Sequence, residues 1–307
     1  MHAQLIFAGM KIQQLIGIIL AIASAVSYGL IPLFILPIKH AGISMDVTLL
    51  YRFAFSALII LVYLLFKKTS LRLSKSDLWK VMVLGLIYSL SSEFLFWGYD
   101  VMSAGVASTV LYIYPMIVAI ILFVLYKEKI SKSTLYSILL ALVGVGVLSI
   151  KKDSMQFNFV GFGVVMLSAF AYSSYMVMIS KGNMESEGYK VTFYSLLFSA
   201  VYFLIKGSFT ADSLTLPSPA IYGHVAIFAF VTTVISVLCL VYAIKLVGST
   251  TTAVLGAVEP VVAVSISVLM FGESLTTGLV IGVIIIILAL VVNVLGDALE
   301  QNKKQKK

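Results

Sequence analysis

The chain has 307 residues, 61% of them hydrophobic and 11% charged, with a formal net charge of +8. A soluble domain carries roughly 45–50% apolar and about 25% charged residues, so this composition is that of an integral membrane protein. A single cysteine, Cys239, excludes an intramolecular disulfide framework and a CxxC metal site. Three histidines, with no HExxH and no GxxxxGK[ST] motif, support neither a zinc hydrolase nor an ATP-driven pump, so no metal and no cofactor are expected.

In chain order, the apolar run after Lys11 imitates a signal peptide as far as Ala23-Ser24-Ala25, but it continues to Ile38 without a polar mature start. It is read as the first membrane span, near 14–38. At about 20 residues per crossing, further spans fall near 47–66, 78–100, 104–126, 132–150, 159–180, 190–205, 220–244, 248–271 and 275–296. All are expected to be helical, because lipid cannot satisfy exposed backbone amides and no alternating barrel pattern is present. The connections are short, the longest around Lys67–Asp77 and Gly207–Ser218, and leave no room for a soluble domain.

The chain repeats itself. Pro115 and Pro260 lie inside the fourth and ninth spans, and each is followed thirteen residues later by an acid, Glu128 and Glu273. A shift of 146 sets Gly17, Ala23, Ala25 and Ser27 on Gly163, Ala169, Ala171 and Ser173. The halves are therefore 1–150 and 155–300, followed by a basic tail at 301–307. Five spans is an odd number, so the second copy is expected to sit inverted relative to the first, as in many secondary transporters. The expected fold is all-α, with ten transmembrane helices in two inverted five-helix repeats. Gly278 and Gly282 in the tenth span match Ser133 and Ser137 in the fifth as small residues four apart, which suit close helix packing within the subunit or, alternatively, a homodimer face.

Lysine and arginine set the orientation. With the N-terminus inside, cytoplasmic segments hold sixteen of them; the opposite side holds four, Lys39, Lys151, Lys152 and Lys206; Arg52 remains within a span. By the positive-inside rule both termini are cytoplasmic. The basic tail is read as a topogenic and lipid-headgroup contact, with no nucleic-acid role.

The order Ala253-Val-Leu-Gly-Ala-Val-Glu-Pro-Val-Val-Ala263, then Phe271-Gly272-Glu273-Ser274-Leu275 and a glycine-spaced last span, resembles the drug/metabolite transporter superfamily, in its bacterial branch of two EamA domains. The resemblance covers nearly the whole chain. The first copy keeps Pro115 and Glu128 but has Lys127 where the second has Gly272. What the resemblance implies is a ten-helix fold, a central cavity lined by the first, third, fourth, sixth, eighth and ninth helices, and usually export of small metabolites.

An ionisable group deep in a span needs a partner or a watery cavity. Glu259 lies eleven residues, roughly 17 Å, into its span, near the midplane, with no base on its own helix within a turn or two and with Pro260 beside it. It is the candidate for binding a substrate ammonium or a coupling proton; the alternative is a protonated acid used only in packing. Arg52 and Glu93 both come out roughly 8–9 Å below the outer face, so an ion pair between them is expected, with a binding role for Glu93 as the alternative. Asp100 and His224 fall at outer span ends. Tyr28, Trp97, Tyr99, Tyr112, Tyr114, Tyr172, Tyr175 and Tyr242 are cavity candidates, although many membrane aromatics only pack or mark interfaces. The repeat puts Tyr114 at the position of Glu259, and Trp97 lies one turn beyond Glu93. Such a lining suits an aromatic ring or an ammonium group. Glu128 and Glu273 are expected to anchor helix ends.

These residues point to an inner-membrane exporter of small amine-bearing metabolites such as amino acids, working by alternating access, and not to an enzyme. The rivals are an uptake permease for a nutrient or vitamin, which flux direction separates, and a lipid-handling protein, which would need paired acids or an interfacial arginine cluster.

Overall fold

The computed structural model describes residues 12–101, 107, 110–148, 159–210, 213–271 and 277–305. Every regular element among them is a helix: α1 (Ile12–Gly29), α2 (Ile31–His40), α3 (Met45–Phe66), α4 (Lys75–Val101), α5 (Tyr114–Tyr126), α6 (Lys132–Leu148), α7 (Phe159–Lys181), α8 (Gly188–Thr210), α9 (Pro219–Ala229), a π-helical segment (Phe230–Ile235), α10 (Ser236–Leu255), α11 (Val258–Phe271) and α12 (Thr277–Gln305). Six helical runs are long and apolar enough to cross a membrane: Ile12–Ile35, Met45–Phe66, Lys75–Val101, Phe159–Lys181, Gly188–Thr210 and Pro219–Leu255. Shorter apolar helices cover Tyr114–Tyr126, Lys132–Gly144, Val258–Met270 and Val280–Asn293. This is a multi-pass membrane protein.

Helix starts follow the local sequence. Ser74 Oγ accepts the Asp77 N–H (3.0 Å), Ser131 Oγ accepts the Thr134 N–H (3.1 Å), and Ser218 caps α9 with Pro219 as its first residue. Each serine satisfies an amide that the first turn leaves open, and proline loses nothing there.

Three expected spans are not continuous. Val110 and Leu111 are helical, Tyr112 and Ile113 form a turn, and α5 begins at Tyr114 with Pro115 next. In the second half Gly248 (φ 81°) turns the chain within α10, the helix resumes to Leu255, and it breaks at Gly256–Ala257 before α11. The helix breaks ahead of Pro260 rather than bending at it. Pro260 has no N–H for the Gly256 carbonyl, which accepts the Glu259 N–H at 2.9 Å in a tighter turn. The first span is likewise divided, at Leu30, into α1 and α2.

The largest helix interfaces are α6 with α12, α1 with α10, α3 with α8, and α4 with α7; smaller ones join α4 to α8, α3 to α9 and the π segment, α5 to α7, and α11 to α1. Exchanging α1 with α7, α3 with α8, α4 with α9–α10, α5 with α11 and α6 with α12 leaves these pairs unchanged, whereas the contact between α7 and α10 has no comparable counterpart between α1 and α4. Small residues make the approaches. A Cβ on Gly17 would meet Val247 on α10 at 2.6 Å, and one on Gly98 would meet Val165 on α7 at 2.4 Å. Gly144 faces the Gly282 backbone, Gly296 lies against Ser133, and Asn293 Nδ2 donates to Ser137 Oγ (3.3 Å). The small residues of the fifth and tenth spans thus meet within the chain.

Candidate functional site

The two breaks face each other. Tyr112 Oη donates to the Val254 carbonyl (3.0 Å) just before the second break. Tyr114 packs so closely on Gly256 that a Cβ there would lie 1.6 Å from its hydroxyl. Ser173 Oγ on α7 sits 3.0 Å from the Tyr114 carbonyl oxygen, and Tyr114 meets Tyr112 and Tyr172 edge-on at ring separations of 5.6 and 5.0 Å. Tyr172 stacks on Tyr28 at 6.1 Å. On the other side, a Cβ on Gly29, next to Tyr28, would lie 2.7 Å from the Glu259 carbonyl.

Glu259 stands in the first turn of α11, where open backbone amides favour negative charge. It is 8% exposed. No hydrogen bond or ion pair to its carboxylate occurs among the described residues. The hydroxyls of Tyr28, Tyr88, Tyr112, Tyr114 and Tyr172 are within coulombic range of it. The buried acid is thus near phenols from α1, α4, α5 with its preceding turn, and α7, which combine ring faces for a cation with hydroxyls for hydrogen bonds.

Arg52 on α3 is fully buried beside this cluster. Its Nε donates to Thr233 Oγ1 (2.6 Å) and its Nη2 to the Thr232 carbonyl (3.5 Å), both in the π segment. The guanidinium carbon lies 4.9 Å from the ring centre of Phe228, 5.7 Å from those of Tyr28 and Phe53, and 5.8 Å from that of Phe96. The expected Arg52–Glu93 pair is not formed. Glu93 Oε1 lies 2.7 Å from Lys206 Nζ on α8, and Glu93 Oε2 accepts from Tyr202 Oη at 2.5 Å. Lys206 also pairs with Asp46 Oδ1 at 2.8 Å. The depth estimate is compatible with either partner, but Glu93 faces α8 and Arg52 faces the π segment.

Other candidates separate from the cluster. Trp97 is 48% exposed and lines, with Asp46, Glu93, Asp100 and Lys206, a cavity between α3, α4 and α8. Tyr242 packs on Tyr189 (5.1 Å), which packs on Tyr63 (4.9 Å), at the end that carries the α7–α8 connection. Tyr175 stacks on Tyr88 at 4.9 Å. His224 Nε2 lies 3.0 Å from the Phe34 carbonyl oxygen. Glu128 pairs with Lys181, tying the end of α5 to the end of α7. Pro115 is buried at the start of α5 and Pro260 in the first turn of α11. Gly272 and Glu273 lie outside the described residues. Sequence reasoning missed Tyr88, Thr232 and Thr233. The run Tyr88-Ser89-Leu90-Ser91-Ser92, polar inside an apolar span, was the available signal.

The model of the EamA-like transporter family matches twice, at residues 15–150 and 159–295. The chain belongs to the EamA-like transporter family. It is therefore a transport protein and not an enzyme. Its relatives include an uncharacterized transporter of Clostridium kluyveri, 24% identical over 74% of this chain and 75% of its own length. Two of Bacillus subtilis are also similar: the uncharacterized transporter YcbK, 27% identical over 68% and 69%, and YyaM, 25% identical over 78% and 80%. A solved crystal structure, 16% identical, covers 90% of this chain and 95% of its own with a TM-score of 0.78, which shows a shared fold.

Proposed function

We propose that this EamA-family chain is a secondary transporter that exports small amine-bearing metabolites, such as amino acids, across the cytoplasmic membrane by alternating access. The observation that carries the reading is Glu259, a buried acid with no ion-pair partner among the described residues, near tyrosines where two broken helices meet. Discontinuous helices at matching places in the two halves mark the site in many transporters. Ten spans in two inverted five-helix repeats are supported by the set of helix pairs that survives exchange of the halves. Two polar networks join the halves at opposite ends of the bundle. At one end Asp46, Glu93 and Lys206 link α3 and α4 to α8. At the other, Asp77 Oδ2 accepts from Ser186 Oγ (2.6 Å), and Lys80 Nζ donates to the Asn183 carbonyl (3.1 Å). Breaking one network while the other holds is the simplest form of alternating access for this architecture.

In this reading Glu259 holds the substrate ammonium, or a proton that couples transport, and Tyr28, Tyr112, Tyr114 and Tyr172 close around the cargo. Glu259→Gln keeps shape and hydrogen-bonding capacity but removes the charge. The purified variant is expected to fold at wild-type yield and to lose affinity for amines by about tenfold or more, because hydrogen bonds to charged groups exceed neutral ones by that order. If Glu259 couples protons instead, substrate exchange in proteoliposomes survives and uphill transport driven by a pH gradient is lost. Wild-type affinity together with wild-type gradient-driven transport would leave Glu259 a packing residue and overturn the proposal. Net uptake into inside-out vesicles, followed by untargeted comparison of excreted metabolites in cells with and without the protein, tests direction.

A further inference from the structure

We infer that Arg52, with Tyr88 and Ser92, forms a second pole of the transport site that takes a carboxylate, so that the cargo is an amino acid held by both its charges. This deepens the proposed amine export and rests on it for the ammonium half alone. An arginine stays charged in a protein, and a buried charge demands compensation. Yet the partners of Arg52 are two neutral oxygens and four aromatic rings, and no carboxylate within ion-pair distance occurs among the described residues. The Nε and Nη2 edges are fixed on the π segment, while Nη1 is buried with no hydrogen-bond partner among the described residues. The fork is therefore held rigid with one arm open.

Two more unpartnered groups lie on α4, the helix whose Phe96 ring the guanidinium overlies. Tyr88 Oη and Ser92 Oγ are both buried without a hydrogen-bond partner among the described residues. They lie one turn apart on the same face of α4, which in its next turn presents Phe96 to the guanidinium. The charge of Arg52 acts on the Tyr88 hydroxyl. A guanidinium N–H and two hydroxyls free to donate are the elements of a carboxylate site.

The same wall connects the two poles. Tyr28 has its ring 5.7 Å from the Arg52 guanidinium carbon, and its hydroxyl is within coulombic range of both Arg52 and Glu259; so is the hydroxyl of Tyr88. Arg52 and Glu259 do not pair with each other. Opposite charges in one buried cluster that stay apart are complementary to a ligand carrying both, and a zwitterionic amino acid is the small metabolite that does so.

The test uses the intact protein in lipid nanodiscs. Wild-type binding is measured for the full set of proteinogenic L-amino acids, and each one that binds is compared with its decarboxylated amine and its deaminated acid. The amino acid is expected to bind about ten- to a hundredfold more tightly than either fragment. Arg52→Gln should remove the preference over the amine without changing affinity for the amine itself, and Arg52→Lys should restore part of it. Tyr88→Phe separates ligand from scaffold, because deleting an unpartnered hydroxyl leaves folding intact yet should weaken the amino acid more than the amine. Equal binding of amino acid and amine by the wild type, or no binding of any amino acid, overturns the inference. Amino-acid binding that falls with Glu259→Gln but ignores Arg52→Gln and Tyr88→Phe would keep the amine reading and sink this one. A deaminated acid that binds as well as the amino acid, and only through Arg52, would keep the carboxylate pole and sink the amine reading.

Discussion

Lys206 stands between two acids, 2.8 Å from Asp46 and 2.7 Å from Glu93, with Thr210 Oγ1 completing Asp46 at 2.7 Å. Removing the lysine leaves two carboxylates facing each other across α3 and α4. The side chains are partly exposed, so solvent screens the repulsion and the expected loss is about 1 kcal/mol. Lys206→Met should therefore lower the melting temperature in detergent modestly, and adding Glu93→Gln should recover part of the loss; strictly additive effects would show that the triad is not coupled. This triad also marks what a linear sequence hides at the scale of a residue. Rise per residue gives depth, and depth placed Glu93 level with Arg52. Direction around the helix decides partners, and it turns Glu93 toward Lys206, which in the sequence counted only as one of four charges on the outer side. The same missing coordinate put Trp97 and Tyr242 in the cluster, whereas Tyr88 belongs there. Tyr114 and Glu259 were placed by the repeat and by the proline beside each, independently of azimuth, whereas Tyr28, Tyr112 and Tyr172 were read only as aromatics of the expected cavity helices.

Among the elements, the broken helices carry the site, and Gly256 holds them together. The Tyr114 hydroxyl occupies the space of a Cβ at Gly256, and the Ala253 carbonyl lies 2.9 Å from the same point. Gly256→Ala is expected to cost about 1–3 kcal/mol, the usual range for inserting a methyl group into a packed core. Combining it with Tyr114→Phe should recover much of that, since the atom in conflict is removed; a double-mutant cycle of thermal melts measures the coupling, and zero coupling would deny the contact. Span positions were readable from the sequence because hydropathy and length constrain them strongly, and α3, α4 and α7 begin and end within a few residues of expectation. The breaks were not readable. Pro115 and Pro260 signal an interrupted hydrogen-bond ladder but not whether the helix bends or restarts, and that choice is made by Tyr112 and Tyr114 packing across on the opposite half.

At the scale of the molecule, the duplicated pattern, the odd number of spans per copy and the sixteen-to-four division of basic residues make one connected claim about orientation. If each half has five spans, the α3–α4 connection and the α8–α9 connection lie on opposite faces, the first carrying Lys67, Lys68, Arg72 and Lys75 and the second none of the described lysines or arginines. Anionic lipid and the membrane potential retain the basic segment inside. Ser74 and Ser213 are exposed residues on these two connections, and Cys239, half-buried, is the only thiol to remove first. In a Cys239→Ala background, a membrane-impermeant maleimide added to intact cells should label a cysteine placed at Ser213 and not one placed at Ser74, with both labelled after permeabilisation. Labelling of Ser74 alone would reverse the orientation and with it the direction assigned to export. Labelling of both in intact cells would put the two connections on one face, which an even number of spans between them requires, and the inverted repeat would fall while the family and the helical fold stood.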